Sequence, residues 1–298
     1  MYMLGIDAGG TQTTLVLGTE DSLLATSATS SIKLSNVSET EARAALTQGI
    51  DAVCLKAKIA RPQVSKCVIG LSGASLPQVR DFAVNELGRL LEHSAIAVYG
   101  DHVIAHRAAF TDGVGVITIA GTGSIAYGRL NDTRELRAGG HGPVISDEGS
   151  GTWIGRELLR RLFRAHDVGV PMLLLDELRD RFAAGDENRL VLLANSGGIR
   201  FSELVPYITS AASGGDELCT DLLRDAGREL AALAHDVVLA LYGKETPRCA
   251  ASGSVGAHPI VRDAFNTEIL RLHPDAEIVT PTRMSAEGAL LMAREWHP

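Results

Sequence analysis

The sequence predicts an α/β protein whose two halves begin in the same way. Residues 2–100 alternate apolar strand-like runs with amphipathic helical runs in the order βββαβαβ. An apolar hairpin around a Gly-Thr turn occurs at Ile6–Leu15 and again at Ile117–Tyr127. A chain of 298 residues is long enough for a sizeable core and for two domains or one large one.

The elements of the first half follow from short apolar runs and their breaks. A Gly-rich turn separates two strands, and Ser38 is a typical cap residue for the helix that starts after it. In chain order we predict strands at 2–6, Thr13–Leu17 and Leu23–Ala28, a helix at Glu39–Lys58, a strand at Cys67–Leu71, a helix at Gln78–Leu91 and a strand at Ile96–Tyr99.

The second half repeats the opening hairpin and then becomes largely helical. We place the domain boundary between residues 110 and 111, with the helical stretch as an insertion in the second domain. We predict strands at Gly115–Ala120, Ile125–Leu130, Arg248–Ala251 and Glu277–Thr280, and helices at Trp153–His166, in most of Asp167–Tyr207 with a break at Pro171, and at Asp216–Tyr242, Arg262–Leu272 and Ser285–Trp296. The Leu/Ala stripe of the long helix is predicted to be core or a dimer surface.

Composition and charge disfavour several classes of function. The net charge is −8, and no cluster of basic residues forms a nucleic-acid-binding patch. The four cysteines are scattered, without zinc or iron–sulfur spacing, which is typical of reduced cytosolic thiols. The N-terminus lacks a signal-like pattern, and the longest uncharged run, Gly113–Gly128, is too short to span a bilayer. The sequence therefore predicts a cytoplasmic protein without nucleic-acid or membrane partners.

The two Gly-Thr turns are the most informative motifs. Glycines allow backbone N–H groups to converge on an anion, and a threonine hydroxyl adds a donor. One such turn is usually an ordinary hairpin turn, but two that each open an α/β half predict a pair that grips one polyphosphate. Asp7 fits this hypothesis, since Mg²⁺ with a nucleotide commonly takes one carboxylate. The sequence has neither a GxxxxGK[ST] motif nor the loops of protein kinases.

Five motifs in order carry a family resemblance. Residues 7–13, 120–124 and 252–255 resemble the two phosphate motifs and the adenosine motif of the actin-like ATPase superfamily. Gly139–Gly142 and Ser146–Ser150 narrow the resemblance to the N-acetylglucosamine kinase and BadF/BadG/BcrA/BcrD ATPase family, from residue 4 to about 293. This resemblance implies two ribonuclease-H-like domains with ATP in an active-site cleft between them. It also implies a last helix, about 285–296, that packs back on the first domain.

The resemblance implies ATP-dependent phosphorylation of an amino sugar, with ATP and Mg²⁺ as cofactors and a homodimer as the assembly. Asp101 would be the general base, although a residue at a strand–helix junction is often a helix cap, and Asp7 would bind the metal. The ATP-binding residues implied are Gly9, Gly10, Thr11, Gly121, Thr122, Gly123, Gly253 and Ser254. The substrate-binding residues implied are Asn36, Asp101, Gly140, His141 and Asp147, with Asn36 and Asp147 reaching the same sugar ring from opposite walls.

Departures from the family pattern leave the acyl-group preference open. His141 stands where animal N-acetylglucosamine kinases have an aromatic ring, and Pro143 and Ser146 replace a histidine and a glycine. Two other functions remain as alternatives: an ATPase activator of electron transfer, which usually carries iron–sulfur cysteines, and a non-catalytic sugar sensor. The cysteines lack that context, and both phosphate turns, Asp7 and Asp101 are retained, so a kinase is favoured.

Two charged clusters are given plainer interpretations. His102 and His106 share a helix face, but without a third ligand nearby a metal site is disfavoured. Four arginines crowd one predicted helix, which is typical of a solvated face, with an anionic group on the substrate as the alternative. These are Arg156, Arg160, Arg161 and Arg164.

Overall fold

The computed structural model describes residues 1–131, 133–170, 172–243 and 245–297. These residues form two compact units, each with its own five-stranded sheet. Unit 1 holds Met1–Gly115, a short stretch that starts at Arg129, and the chain from Val279 onward, and unit 2 holds most of the remainder. Pro171, the predicted helix break, lies outside the described residues.

The predicted helices and strands occur in the predicted order, and the structure adds the strand Arg134–Gly139 and the helices Asp101–Ala109 and Gly253–Gly256. The strands are β1 Tyr2–Ala8, β2 Gln12–Gly18, β3 Leu23–Ser30, β4 Val64–Leu71, β5 Ala95–Gly100, β6 Gly115–Ala120, β7 Ser124–Asn131, β8 Arg134–Gly139, β9 Arg248–Ser252 and β10 Glu277–Ile278. The helices are α1 Glu39–Ala57, α2 Pro77–Leu90, α3 Asp101–Ala109, α4 Gly151–Asp167, α5 Leu173–Arg181, α6 Glu187–Asn195, α7 Val205–Ser213, α8 Glu217–Leu241, α9 Gly253–Gly256, α10 Pro259–Leu272 and α11 Ser285–Glu295.

The sheet of unit 1 has the strand order β3-β2-β1-β4-β5. Strand β1 is antiparallel to β2 and parallel to β4, and β4 is parallel to β5. Because side chains alternate along a strand, Leu4 and Ile6 face a core that includes residues of α1 and α2, while Met3 faces a second core with residues of α3 and α11. Helix α1 starts where Ser38 predicts, since its hydroxyl accepts the Glu41 N–H and the Glu41 carboxylate accepts the Ser38 N–H.

The last helix, α11, packs within unit 1 against β1, β4 and α3. Its backbone comes so close to the sheet that a Cβ at Gly5 would overlap the main chain of α11 at Ala286 and Leu290. The Lys66 ammonium, almost fully buried, donates to the Trp296 carbonyl at 2.6 Å. Close backbone contact and a buried charged donor thus join the end of the described chain to the central strands of this sheet.

The sheet of unit 2 repeats the arrangement of unit 1. Its strand order is β10-β9-β6-β7-β8, so in both units the first strand lies between the second and the fourth. Strand β9 is parallel to β6 and to β10. Helix α8 buries its Leu/Ala stripe, as the core interpretation expects, and packs mainly on α10. Strand β8 is not among the predicted strands because Arg134–Arg137 are all exposed and show no apolar alternation.

The chain first passes from unit 1 to unit 2 after Gly115, a few residues beyond the predicted boundary between residues 110 and 111. Unit 1 continues to Gly115 because the fully buried Phe110 ring packs on Gly115, where a Cβ would overlap the ring. The His106 ring also lies 3.0 Å from the Gly115 carbonyl oxygen. The connection after α3 therefore belongs to the packing of the first unit.

Each of the four cysteines is buried, with a free thiol. Burial raises the pKa of the Cys219 and Cys249 thiols to about 12, so these groups stay protonated and unreactive at neutral pH. Across the four described segments no helix has the length and apolarity needed to cross a membrane.

Candidate active site

The first Gly-Thr turn joins β1 to β2 and carries Gly9, Gly10 and Thr11. A Cβ at Gly9 would lie 2.7 Å from the Gln12 carbonyl oxygen, so the turn itself requires this glycine. Gly10 faces open space, with nothing within 4 Å of an added Cβ. The loop before α1 fixes the turn, because the Ser31 hydroxyl donates to the Gly9 carbonyl at 2.9 Å and the Asn36 amide donates to the Gly10 carbonyl at 2.9 Å. The structure therefore brings Asn36 to the first turn.

Two carboxylates lie at the same edge of the unit 1 sheet. Asp7 is near the end of β1, and Asp101 directly follows β5, a strand that runs in the same direction as β1. Burial and the neighbouring Asp101 charge raise the pKa of Asp7 to about 6, against a smaller lowering by a hydrogen bond with the Ser285 hydroxyl. Two mutually repelling carboxylates at one edge form a site with high affinity for a cation or a proton.

Asp101 is the first residue of α3, whereas the cap position belongs to Gly100. Burial alone would raise the pKa of Asp101, but the hydrogen bonds and charge of His102, together with the Lys33 ammonium, outweigh it and lower this pKa. Half of the side chain, 47%, remains exposed. Asp101 is therefore an ionised, accessible carboxylate, as a general base at neutral pH must be.

A small apolar cavity lies between the loop before α1, the end of β4 and helix α2 in the same unit. Its volume is about 130 Å³. Among its lining residues, Ser35 directly precedes Asn36 and Ala8 directly follows Asp7 along the chain. The other walls are mainly aliphatic and aromatic, from Ile32, Leu34, Leu71, Leu76, Val79 and Phe82. The lining contains the Lys33 cation and no carboxylate.

The second Gly-Thr turn lies between β6 and β7 in unit 2 and is held by main-chain hydrogen bonds. The Gly121 N–H donates to the Gly123 carbonyl at 3.0 Å. The first amides of α4 bind the other two carbonyls: Gly151 N–H donates to Gly121 and Thr152 N–H to Thr122, at 2.8 and 3.1 Å. The Thr152 hydroxyl donates to the Thr122 carbonyl as well, at 2.7 Å. The start of α4 therefore fixes the turn.

Asp147 lies against this second turn. Its carboxylate accepts the Ser124 N–H at 3.2 Å and would lie 3.0 Å from a Cβ at Gly123. The residue has a φ of 74°, a left-handed conformation that is uncommon outside glycine. Burial raises the pKa of Asp147, against the lowering effect of the Ser124 N–H. A strained, mostly buried carboxylate is consistent with a binding role.

The remaining predicted residues of unit 2 fall into two places. Gly140 and His141 are exposed, and the His141 ring is near enough to Asp147 to lower its pKa slightly. Gly253, with a φ of 86°, packs on the main chain of Ala120 at the end of β6. The exposed Ser254 follows it, with its hydroxyl oxygen 3.7 Å from where a Cβ of Gly121 would be. The structure thus brings the adenosine motif to the second turn.

Three of the four arginines singled out in α4 have local partners. Arg156 donates to the Pro143 carbonyl at 3.0 Å and so fixes the loop before Asp147. Arg160 pairs with Glu157, and Arg161 pairs with Asp225 at 2.6 Å. This arrangement agrees better with a solvated face than with a site for an anionic group.

Sequence reasoning did not assign a role at the site to four residues that bind the predicted ones or act on their charge. Ser285 binds Asp7, Lys33 and His102 act on Asp101, and Ser124 binds Asp147 through its N–H. His102 and Ser124 adjoin predicted residues, so their position alone could have suggested them. Ser285 carries no such signal because it starts the last helix.

Proteins of known activity are similar to this chain over almost its whole length. The chain is 30% identical to the N-acetyl-D-glucosamine kinase of Dictyostelium discoideum, with 97% of each chain covered. It is 27% identical to an N-acetylmuramic acid/N-acetylglucosamine kinase of Clostridium acetobutylicum, with 98% of each covered. A solved structure from Chromobacterium violaceum, provisionally assigned as an N-acetylglucosamine kinase, has a TM-score of 0.74 at 26% identity, with 98% of each chain covered.

The family model agrees with the motifs over almost the whole chain. Two units with the same strand order, each with a Gly-Thr turn after its first strand, form the actin-like ATPase fold. The model of the BadF/BadG/BcrA/BcrD ATPase family matches residues 4–293. This chain is therefore a member of the BadF/BadG/BcrA/BcrD ATPase family.

Proposed function

We propose that the protein transfers the γ-phosphoryl group of ATP to a hydroxyl of an amino sugar. The observation that carries this proposal is the ionised Asp101 carboxylate at the same sheet edge as the first Gly-Thr turn. Phosphoryl transfer needs a polyphosphate cradle and a positioned acceptor for the hydroxyl proton. The relatives of known activity, which include a glucosamine kinase of Vibrio cholerae, support the same reaction.

In this proposal the two turns bind the phosphates and three side chains bind the sugar. The amides and hydroxyls of Gly9–Thr11 and Gly121–Gly123 donate to phosphate oxygens, and Gly253 and Ser254 adjoin the nucleoside. Asn36 and Asp147 bind sugar hydroxyls, with Gly140 and His141 beside Asp147. Asp101 accepts the proton of the attacking sugar hydroxyl. At the same time the oxygen of that hydroxyl bonds to the γ-phosphorus, and the bond between the γ-phosphorus and the ADP oxygen breaks.

Mg²⁺ is the metal that the fold family implies. Asp7 and Asp101 offer hard oxygen donors, and Mg²⁺ is usually bound through one or two carboxylates plus phosphates and water, so these residues fit the ion. Mg²⁺ supplies charge neutralisation at the phosphates when bound. Asp7 would be its protein ligand, and Asp7→Asn should weaken the dependence of the rate on Mg²⁺ concentration.

We further propose that the sugar carries an N-acyl group. The apolar cavity of about 130 Å³ beside Asn36 suits a methyl or a short aliphatic group. Its lining includes the Lys33 cation and no carboxylate, so it disfavours the ammonium group of a free amino sugar. The kcat/KM for N-acetylglucosamine should therefore exceed that for glucosamine, and the reverse order would contradict the acyl assignment.

The decisive test of the function is Asp101→Asn. The amide keeps the size of the side chain and removes the base, so kcat should fall by about 10²–10⁴-fold while ATP and sugar still bind. Asp21→Asn, an exposed carboxylate away from the site, is the matched control and should leave kcat unchanged. Turnover of Asp101→Asn within a few-fold of the parent would contradict the assignment of the base.

The same assay separates the alternative functions. ATP hydrolysis without any sugar would favour an ATPase activator, and sugar binding without turnover would favour a sensor. The homodimer and the cytoplasmic location stay predictions. Light scattering of the purified protein tests the homodimer.

A further inference from the structure

The His102 ring occupies the space that a side chain at Gly100 would fill. The three atoms nearest to an added Cβ at Gly100 all belong to this imidazole, including Nδ1 at 2.7 Å and Nε2 at 3.1 Å. The backbone of Gly100 is ordinary, with a φ of −66° and a ψ of 147° that any residue can adopt. Gly100 is therefore not needed for its conformational freedom but for the room that it gives to His102.

The folded-back ring brings His102 to Asp101. The backbone N–H of His102 donates to Asp101 Oδ1 at 2.9 Å. The ring atom Nδ1 lies 3.5 Å from the same oxygen. The ring is 18% exposed, whereas the Asp101 side chain is 47% exposed. One carboxylate oxygen is thus bound on the protein side, and the carboxylate remains open to solvent.

We propose that His102 is a positioning residue for Asp101: its imidazole, admitted by Gly100, holds the carboxylate in the orientation that receives the hydroxyl proton. This inference rests on the proposed role of Asp101 as the base. His102 itself does not touch the substrate in this proposal. It limits rotation of the Asp101 side chain, and a general base that is misplaced by about 1 Å loses much of its effect on the rate.

Two other charged groups act on Asp101 from neighbouring elements. Lys33, in the loop before α1, attracts its carboxylate, and Asp7, at the end of β1, repels it. Both act through charge at a distance, without a hydrogen bond that would fix the direction of the carboxylate lone pairs. Of the described groups that act on Asp101, His102 is the residue whose backbone N–H bonds to the carboxylate, and its ring atom Nδ1 lies 3.5 Å from the same oxygen. The backbone bond is independent of the side chain, so the orienting effect proposed for the imidazole rests on the position of Nδ1.

The first test compares two substitutions of His102. His102→Ala removes the ring, so kcat should fall about tenfold, while KM for the sugar and for ATP should change less than about twofold. His102→Asn places an amide nitrogen near the position of Nδ1 and should keep kcat within about threefold of the parent. His93→Ala, which removes an exposed imidazole elsewhere, is the control and should leave both constants unchanged.

The second test is a double-mutant cycle with Gly100→Ala. The added Cβ should displace the ring without removing it, so Gly100→Ala alone should lower kcat about as much as His102→Ala. In the His102→Ala background the same methyl group meets no ring and should have no further effect on kcat. Gly88→Ala, a helical glycine with nothing within 4 Å of an added Cβ, controls for the substitution itself.

The outcomes distinguish this inference from the function on which it rests. A kcat for His102→Ala within twofold of the parent overturns the positioning role, as does a Gly100→Ala effect of equal size with and without the ring. A fall in kcat that His102→Asn does not restore also overturns it. Failure of Asp101→Asn to lower kcat instead overturns the assignment of the base.

Discussion

The two Gly-Thr turns occupy corresponding places in sheets of the same strand order, yet different parts of the chain support them. Side chains from the loop before α1, Ser31 and Asn36, hold the first turn. Main-chain amides of α4 and the Asp147 carboxylate hold the second. A side-chain hydroxyl or amide can be lost by one substitution, whereas a helix start cannot. The first turn is therefore the more easily altered of the two.

The carboxylates of the two units also differ in the charged and polar groups that surround them. In unit 1, burial and the neighbouring Asp101 charge raise the pKa of Asp7 to about 6. In unit 2, Asp147 accepts a backbone N–H and is near Arg156 and His141, which partly offset its burial. Unit 1 thus concentrates negative charge that a bound cation would neutralise. In unit 2, the Ser124 N–H, Arg156 and His141 stabilise the negative charge of Asp147.

The largest effect should come from a bulky side chain placed in either Gly-Thr turn. Gly10→Val and Gly121→Val each add a branched side chain where phosphate would bind, and neither residue has a neighbour closer than 3.7 Å to an added Cβ. The variants should fold, but their affinity for Mg-ATP, measured by isothermal titration, should fall by at least about 100-fold. Gly88→Val is the control outside the site. Unchanged nucleotide affinity in either turn variant would remove that turn from the ATP site.

A smaller effect is expected at Asp147, whose carboxylate accepts the Ser124 N–H of the second turn and is proposed to bind the sugar as well. A hydrogen bond to a charged group contributes about 1.5–3 kcal/mol, so Asp147→Ala should raise KM for the sugar by about 10–100-fold and KM for ATP much less. Asp147→Asn keeps an oxygen that can accept the Ser124 N–H, and should spare KM for ATP further. Equal changes in both KM values for Asp147→Ala would show that Asp147 serves the turn alone.

A further prediction concerns stability instead of binding and tests the raised pKa of Asp7 in unit 1. The pKa of Asp7 is higher in the folded chain, about 6, than its ordinary 3.8, so ionisation costs stability as pH rises through this range. Asp7→Asn should therefore stabilise the protein above pH 6, by about 3 kcal/mol at most, and change little at pH 4. Denaturant unfolding at both pH values measures this difference.

A control keeps this test specific. Asp21→Asn removes an exposed carboxylate and should leave the free energy of unfolding within about 0.5 kcal/mol at either pH. A stability difference between Asp7→Asn and the parent that is the same at both pH values would contradict the raised pKa of Asp7, which burial and the Asp101 charge produce.

The sequence predicted the order of most elements because their apolar residues recur at regular spacing. Strand β8 escaped prediction since the exposed Arg134–Arg137 show no such pattern. The sequence predicts the domain boundary before Gly115 because the contact of the Phe110 ring with Gly115 arises from packing, which the spacing of apolar residues does not indicate.

The candidate site was predictable where its motif is local. Gly9–Thr11 and Asn36 are brought together, since the loop that carries Asn36 follows a hairpin of known direction. The contact of Asp147 with Ser124 spans 23 residues and needs a left-handed backbone at a non-glycine residue, which no pattern predicts. The ring of His102 over Gly100 depends on a side-chain rotamer, and rotamers are set by packing.

The position of α11 has a consequence for synthesis. Met3, Val16 and Val68 lie on strands that leave the ribosome long before α11, yet they are buried partly by Ala289 and Leu290 of that helix. During translation these apolar side chains stay uncovered until the rest of the chain has been made. A nascent chain that stops before residue 285 would present an apolar surface to chaperones and proteases, so completion of this unit reports that the ribosome has translated beyond α11.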